Sequence, residues 1–431
     1  MVPANILTGL TMANSLLAKR RALLGGAYRL FYEEPLHIVR GRGCYLYDAQ
    51  GRRYLDAYNN VPHVGHCHPQ VVAAISQQAA TLNTHTRYLH EHVLDLAEQI
   101  TDLCADGLAH MLFACSGTEA NDLALRLARA RTGAEGVIVT ESAYHGHSCA
   151  VVQLSTEDTP PARRGDHIVT IPAPDSYRRQ ASGPEQAADL DQALAELERR
   201  GHRPAAFFLD TVLSSEGIAT VPEGYLPAAV ARVRSAGGLF VADEVQAGYG
   251  RSGVSFWGHE RLGVVPDMIT MGKPMGNGHP ISGLVTSADV LDAFTRESHY
   301  FNTFGGNPVS CAAALAVLAV MRDEQLMARA QSTGAWLRAE LEGLAAQHEV
   351  IGDVRGSGLF LGLDLVQDRT RQTPATDLAA ELVNAMRQRG VLLGRTGLHG
   401  NVLKIRPPMV FAREDGSLLL EALADSLAAA A

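Results

Sequence analysis

Gly238-Leu239-Phe240-Val241-Ala242-Asp243 and, thirty positions after its carboxylate, Met271-Gly272-Lys273-Pro274 mark the stretch Gly237 to Pro280 around which the chain is organised. The first string is an unbroken apolar run ending in a carboxylate. Apolar residues that do not alternate with polar ones imply a strand covered on both faces. The second string hems a lysine between Met, Gly and Pro, which solvation of a surface explains poorly and a Schiff-base amine explains well. A phosphate-binding nucleotide loop is excluded at Gly272-Lys273, because Pro274 stands where Ser or Thr is required and the upstream glycine is missing.

Working outward, the same kind of run recurs at Gly136 to Thr140, His167 to Ile171, Ala205 to Leu209, Asp267 to Thr270 and Gly283 to Val285. Helical patterns at Asp189 to Arg200 and Leu226 to Ala236 separate several of them. The fold class is therefore α/β, with a mainly parallel central sheet flanked by helices. Such sheets bind ligands at the carboxyl ends of their strands, where Ser116, Glu141 to His145, Asp210, Asp243 and Lys273 all fall. Met111 to Cys115 is a further strand, followed by Ser116-Gly117-Thr118 and a helix from about Thr118 whose apolar positions 120, 123, 124, 127 and 128 keep helical spacing. The free N–H groups and positive dipole end at its mouth suit an anion. The same hydroxyls also suit a plain helix cap.

Either end of the chain differs in character. Short strands are expected at His37 to Val39, Cys44 to Asp48 and Arg53 to Asp56, and the stretch before about Met12 reads as a frayed start. Beyond Asn307 come helices at Pro308 to Arg322 and Glu324 to Gln347, then strands within Val354 to Asp364. We expect a large domain over 58–306 and a smaller α+β domain built from 1–57 and 307–431. Thr156 to Pro184, rich in Pro, Arg, Ser and Asp, is expected to be a solvated excursion with one strand. The loop Tyr58 to Pro69 holds His63, His66, Cys67 and His68, but their spacing matches no zinc pattern, so the loop reads as pocket lining that ends where Pro69 opens a helix to Ala80. His90-Glu91-His92 likewise lacks the spacing that puts two ligands on one helical face. No metal is expected.

Composition narrows the partners. The chain has 431 residues, 46% hydrophobic and 19% charged, with a formal net charge of −9 and no basic block, which argues against nucleic acid and for a small molecule. No apolar span reaches membrane length, roughly 18 residues or more, and the N-terminal charges follow the apolar part, the wrong order for a secretory signal. Six cysteines without a C-x-x-C pair fit a reducing, cytoplasmic setting.

The strings ACSGTEANDLALRLAR, AYHGHS, FVADEVQAGYGRSG, MGKPMGNGHP and FNTFGGNP occur in this order between Ala114 and Pro308. Together they resemble the class III (ω-amino acid type) aminotransferases, pyridoxal 5'-phosphate enzymes of fold type I, and the similarity runs from about Tyr28 to Phe411. The resemblance implies that Lys273 carries the cofactor aldehyde and then moves the substrate proton, while Asp243 faces the ring nitrogen. It implies that Ser116, Gly117 and Thr118 hold the phosphate, Tyr144 covers the ring with His145 nearby, and Gln246 meets the ring hydroxyl. Thr303 resembles a phosphate contact supplied by a second subunit, hence a homodimer. Arg406 resembles the arginine that grips a substrate carboxylate, and Tyr58 is the companion substrate contact.

Where the family often has Glu-Pro followed by Gln-Gly, this chain has Asp210-Thr211-Val212-Leu213-Ser214-Ser215-Glu216-Gly217. The strings Gly352 to Gly356, Arg371 to Thr376 and Asn401 to Met409 look like the branch containing ethanolamine-phosphate and phosphohydroxylysine phospho-lyases. The expected activity is therefore transfer of an amino group from a primary amine or amino acid to an oxo acid. The alternative is elimination of phosphate from an amino-alkyl phosphate, and an inactive cofactor-binding protein is a remote third. Transfer and elimination begin with the same proton abstraction, and Arg406 suits a carboxylate or a phosphate equally.

Overall fold

The computed structural model describes residues 15–430; the expected frayed start before about Met12 lies outside them. A helix over 15–24 is followed by an antiparallel set, β1 (Ile38–Arg42), β2 (Tyr45–Asp48) and β3 (Arg53–Asp56). The central sheet then takes β4 (His110–Ala114), β5 (Gly136–Thr140), β6 (Ile168–Ile171), β7 (Pro204–Asp210), β8 (Leu239–Asp243), β9 (Met268–Met271) and β10 (Ser282–Thr286) in the spatial order β4-β10-β9-β8-β7-β5-β6.

Every residue of β5 and of β7 is buried, because helices cover both faces. On one side Val137, Val139, Phe208 and Val241 pack with Leu123, Ala124 and Leu127 of the helix Gly117–Thr132. On the other, Ile138, Phe207, Leu209 and Phe240 pack with Leu190 and Leu197 of the helix Asp189–Arg199 and with Leu226 and Val233 of the helix Tyr225–Ser235. The alternation of Val137, Ile138 and Val139 between the two cores is what an unbroken apolar run encodes.

The sheet departs from uniform direction at β10, which runs antiparallel to both of its neighbours, β4 and β9. The link from Met271 to Ser282 contains no helix, and a link that short returns the chain antiparallel, since a parallel crossover needs a dozen residues or more. This reversing link carries Lys273.

After Asn307 the helices Pro308–Asp323 and Leu326–Gln347 lead to β11 (Ile351–Ser357), β12 (Phe360–Asp368), β13 (Thr373–Pro374), β14 (Val391–Leu392), β15 (Gly394–Thr396) and β16 (Val402–Ile405). Strands β11, β12, β16 and β15 form one sheet, with β13 beside β12. Strand β14 instead pairs in parallel with β3, Val391 opposite Leu55, so N-terminal and C-terminal segments share a sheet. The second of these helices starts two residues later than expected, because Gln325 adopts φ 51° and breaks the run from its predecessor.

Two expectations about loops meet different fates. The segment Thr156 to Pro184 is not simply solvated: Thr159 and Asp175 are buried, and Arg178 reaches across to both carboxylate oxygens of Asp364. Its polar composition serves an internal ion-pair cluster in which buried Arg355 also bonds Asp364. The histidines of Tyr58 to Pro69 diverge, His63 to the carbonyl of Tyr249, His66 to Asp56 and His68 to Glu324.

Candidate active site

The carboxyl ends of β4, β5, β7, β8 and the turn after β9 converge on a small cavity of about 100 Å³ lined by Gly117, Thr118, Asn121, Tyr144, His145, Gly146, Asp210, Asp243, Val245, Gln246 and Lys273. Its floor is Asp243, the last residue of β8. Its Oδ2 accepts hydrogen bonds from Asn121 Nδ2 at 2.8 Å and His145 Nδ1 at 2.7 Å, and its Oδ1 accepts one from the Val245 N–H at 3.1 Å. Asn121 is itself fixed by Thr270 Oγ1, which donates to its Oδ1 at 2.7 Å. A buried carboxylate with this many donors is aimed, not free to turn.

Lys273 sits directly after β9, on a turn closed by the Met275 N–H to Gly272 carbonyl bond of 2.7 Å. Burial, reinforced by Arg406, pulls its amine below the ordinary lysine range, against the opposing pull of Asp243 and Asp210. That direction favours the free amine a nucleophile and base needs.

At the helix mouth, Gly117 and Thr118 open the helix Gly117–Thr132 and line the cavity. Ser116 is the N-cap: its hydroxyl accepts from the Glu119 N–H at 3.3 Å, so its side chain is spent on the helix and does not line the cavity. Gly146, at φ 141°, lies so close to Thr118 that a Cβ there would come within 2.7 Å of Oγ1. A Cβ on Gly117 would stand 3.0 Å from Val245. One position where a methyl group cannot be placed and one where it would crowd Val245, next to free helix N–H groups and opposite an anchored carboxylate, make a cradle that suits a flat ring with a phosphate arm.

A second, larger chamber of about 600 Å³ shares Tyr144, Gln246 and Lys273 with the first, and adds Tyr58, Glu157, Arg395, Lys404, Arg406 and the segment Arg29 to Phe31. Arg406 is buried with its guanidinium 4.6 Å above the Tyr58 ring, and its Nη1 donates to Asn60 Oδ1 at 3.1 Å and to Gln246 Oε1. Its Nε is buried without a partner. Lys404 is also buried, and its ammonium donates only to the Ser214 carbonyl, at 2.6 Å. Burial and then Arg406 drive it well below the usual lysine range.

Of the residues expected from sequence, the structure brings Lys273, Asp243, Gly117, Thr118, Tyr144, His145, Gln246, Tyr58 and Arg406 to these adjoining cavities. Ser116, spent on its helix cap, lines neither cavity, and Thr303 stands exposed, outside both. Sequence reasoning missed Asn121, Asn60 and Lys404. Lys404 was accessible to it, since residues two apart on an extended strand share a face and Arg406 was already a candidate. Asn121 carried no such mark inside its helical run.

The family model "Aminotransferase class-III" matches residues 31–427. A Drosophila melanogaster protein named alanine–glyoxylate aminotransferase 2-like is 41% identical over 95% of this chain and 86% of its own length. Ethanolamine-phosphate phospho-lyase homolog 1 of Caenorhabditis elegans is also 41% identical, over 92% of this chain and 89% of its own. The solved structure of a phospholyase from Arthrobacter in complex with phosphoethanolamine superposes with a TM-score of 0.93 at 46% identity, covering 96% of this chain and 99% of that one. The chain belongs to the class-III aminotransferase family and is a pyridoxal 5'-phosphate-dependent enzyme of fold type I.

Proposed function

We propose that this enzyme acts on a small primary amine that carries a phosphate on the neighbouring carbon, and expels that phosphate. The observation that carries the reading is Lys404, a second buried basic side chain beside Arg406 in the outer chamber, whose amine takes a charge readily only when an anion joins it. Two cations this close, one of them with only a carbonyl for a partner, are costly unless a multiply charged anion joins them. A phosphate dianion fits that demand better than a single carboxylate, and phosphoethanolamine is the ligand in the 46% identical structure.

The cofactor, when bound, takes up the electron pair left as the substrate loses its proton. Lys273 Nζ would remove that proton from the amine-bearing carbon. Asp243, fixed by Asn121, His145 and the Val245 N–H, would hold a negative charge opposite the ring nitrogen. Gly117 and Thr118 would bind the cofactor phosphate, Tyr144 would cover the ring and Gln246 would meet its hydroxyl. Lys404 and Arg406 would hold the substrate phosphate and offset its charge as the C–O bond breaks. Water then releases ammonia and an aldehyde.

Amino transfer uses the same floor and is the second reading, favoured by the relatives named alanine–glyoxylate aminotransferases and by the ability of Arg406, with Tyr58, to grip a carboxylate. Incubation with phosphoethanolamine tests the first reading through release of phosphate together with acetaldehyde. Incubation with alanine, followed by pyruvate, tests the second through conversion of the cofactor to its amine form and its recovery. Phosphate release absent, with that reversible conversion present, would overturn elimination as the main activity.

We also propose a homodimer in which Thr303 reaches the cofactor phosphate of the partner. Phe301 and Phe304 flank it exposed, Tyr88 and Leu89 are exposed beside them, and His85 contacts both Tyr88 and Phe301. Such an apolar patch suits burial against a second copy. The division into a unit over 58–306 and one from 1–57 and 307–431 is proposed on the sheet that joins β14 to β3. A reducing, cytoplasmic location is proposed on the six free cysteines. Among the described residues, no helix is long and apolar enough to cross a membrane.

A further inference from the structure

Ser214 is buried and lines neither cavity, yet it bonds a wall of each. Its hydroxyl donates to Asp210 Oδ2 and accepts from Gln246 Nε2. Its carbonyl accepts Lys404 Nζ at 2.6 Å and the Thr396 hydroxyl at 2.8 Å. Asp210 belongs to the cofactor cavity, Lys404 to the substrate chamber and Gln246 to both. The turn after β7 aims the serine: the Leu213 N–H closes on the Asp210 carbonyl at 2.9 Å, with Leu213 at φ 51°. The N–H groups of Val212 and Ser214 bond the Asp210 carboxylate at 3.0 Å each. This is the stretch where the sequence leaves the usual family string, and no step described above uses the hydroxyl.

The relay has one direction. Arg406 has only donors, so the Gln246 atom that meets its Nη1 must be the amide oxygen, to which Asn60 Nδ2 also donates at 3.4 Å. The Gln246 nitrogen then faces Ser214, whose oxygen accepts one of its two hydrogens because the serine hydrogen goes to Asp210. Donation runs from Arg406 to Gln246, to Ser214, to Asp210. Hydrogen bonds joined in this way polarise one another. The second N–H of Gln246 is left for the cofactor.

We propose that Ser214 is a positioning residue that couples the two cavities, so that an anion held by Arg406 weakens the hydrogen bond that Gln246 gives the cofactor ring hydroxyl. The anion engages Arg406, whose Nε has no partner in the protein. Arg406 then pulls less on Gln246 Oε1, and the remaining amide N–H becomes a poorer donor. A ring oxygen with a poorer donor favours its protonated form, which moves the pH midpoint of the cofactor's visible band upward. No covalent bond changes. Coupling is reciprocal, so the anion binds more tightly below that midpoint than above it. The inference rests on the roles of Gln246 and Arg406 proposed above, and it holds whether the anion is the phosphate of an elimination substrate or the carboxylate of a transfer substrate.

The test is calorimetric titration of the holoenzyme with sulfate and, separately, with propionate, on either side of the band's midpoint. Neither anion changes charge near neutral pH. In the wild type at least one of them is expected to bind about fivefold or more tightly below the midpoint than above it. Ser214→Ala removes the hydroxyl and keeps the carbonyl that holds Lys404, so the anion still binds, but the ratio is expected to fall by about twofold or more. It does not reach one, because a bound anion also acts on the ring directly through space. The charged groups nearby, Asp243 as the register partner of Asp210 with Lys273, Lys404 and Arg406, are the same in both proteins. Equal ratios in the two proteins would overturn the coupling and leave the anion grip intact. Failure of both anions to bind the wild type would remove the grip itself, and this inference with it. Should Ser214→Ala not fold, Asp210→Asn keeps the shape and removes the carboxylate that ends the relay. A lowered ratio in that variant supports the coupling, and an unchanged one refutes it.

Discussion

The cofactor cavity and the substrate chamber share three side chains yet are built on opposite principles. In the first, the key charge, Asp243, is surrounded by donors from a helix, a loop and the backbone N–H of Val245. In the second, the key charges, Lys404 and Arg406, are gathered together and left short of partners. A site with its polar groups matched is a fixed tool. A site with unmatched cations is a question that only the right anion answers, and the fate of the substrate is decided there.

The sharpest way to break this contrast is at the residue both cavities share. Lys273→Ala is expected to abolish the borohydride-reducible visible band and to cut turnover by about 10⁴-fold, since it removes both the covalent attachment and the base. Persistence of the same band in the variant would dissociate the lysine from the cofactor. Next is the outer chamber alone: Lys404→Met is expected to lower kcat/KM for phosphoethanolamine by roughly 10- to 100-fold, the worth of one charge-assisted bond. An amine without phosphate is expected to lose little. Because a buried amine with a single carbonyl partner is replaced by an apolar chain of similar volume, the same variant is expected to melt at or above the wild-type temperature. Equal losses for both substrates would place Lys404 outside phosphate recognition.

Smaller effects probe the cofactor cavity. Thr303→Ala is expected to weaken retention of pyridoxal phosphate by about tenfold, one hydrogen bond to a charged group, measured by dialysis and recovery of the visible band. Mixed dimers with Lys273→Ala subunits would show which subunit supplies the threonine. Glu216 gives the last test through pH. Its carboxyl rises from the model-peptide value of 4.5 to about 8 in the folded protein, so the folded state binds the extra proton between those values. Stability from this group is therefore complete below about pH 4.5 and is lost as pH rises towards 8. The wild type is expected to lose a few degrees more in Tm than Glu216→Gln between pH 6 and 9, by calorimetry; parallel curves would contradict a buried neutral acid.

How far the sequence could be read follows the same division. Strands β5, β7 and β8 were visible because burial on both faces writes itself as an unbroken apolar run, and their carboxyl ends then located Asp243 and Lys273. The direction of β10 was not visible, since Gly283-Leu284-Val285 is equally apolar either way and only the helix-free link from Met271 decides it. Asn121 was hidden because a helix position that meets a strand end looks like any other polar residue in its run. The outer chamber is assembled from Arg29 to Phe31, Tyr58, Arg395 and Lys404 to Arg406, segments hundreds of residues apart whose meeting no local pattern records. The polar stretch from Thr156 misled for a related reason: Asp175 and Arg178 find their partners, Arg355 and Asp364, near the other end of the chain.

The parallel pairing of β3 with β14 has a consequence for the order of events at the ribosome. Leu55 waits for Val391, so the edge of the first hairpin stays open while most of the chain is still being made, an exposed edge of the kind that invites wrong partners. Lys404 and Arg406 arrive later still. A nascent chain could therefore complete its central sheet, and with it the cradle for the cofactor, well before it has any means of holding a substrate.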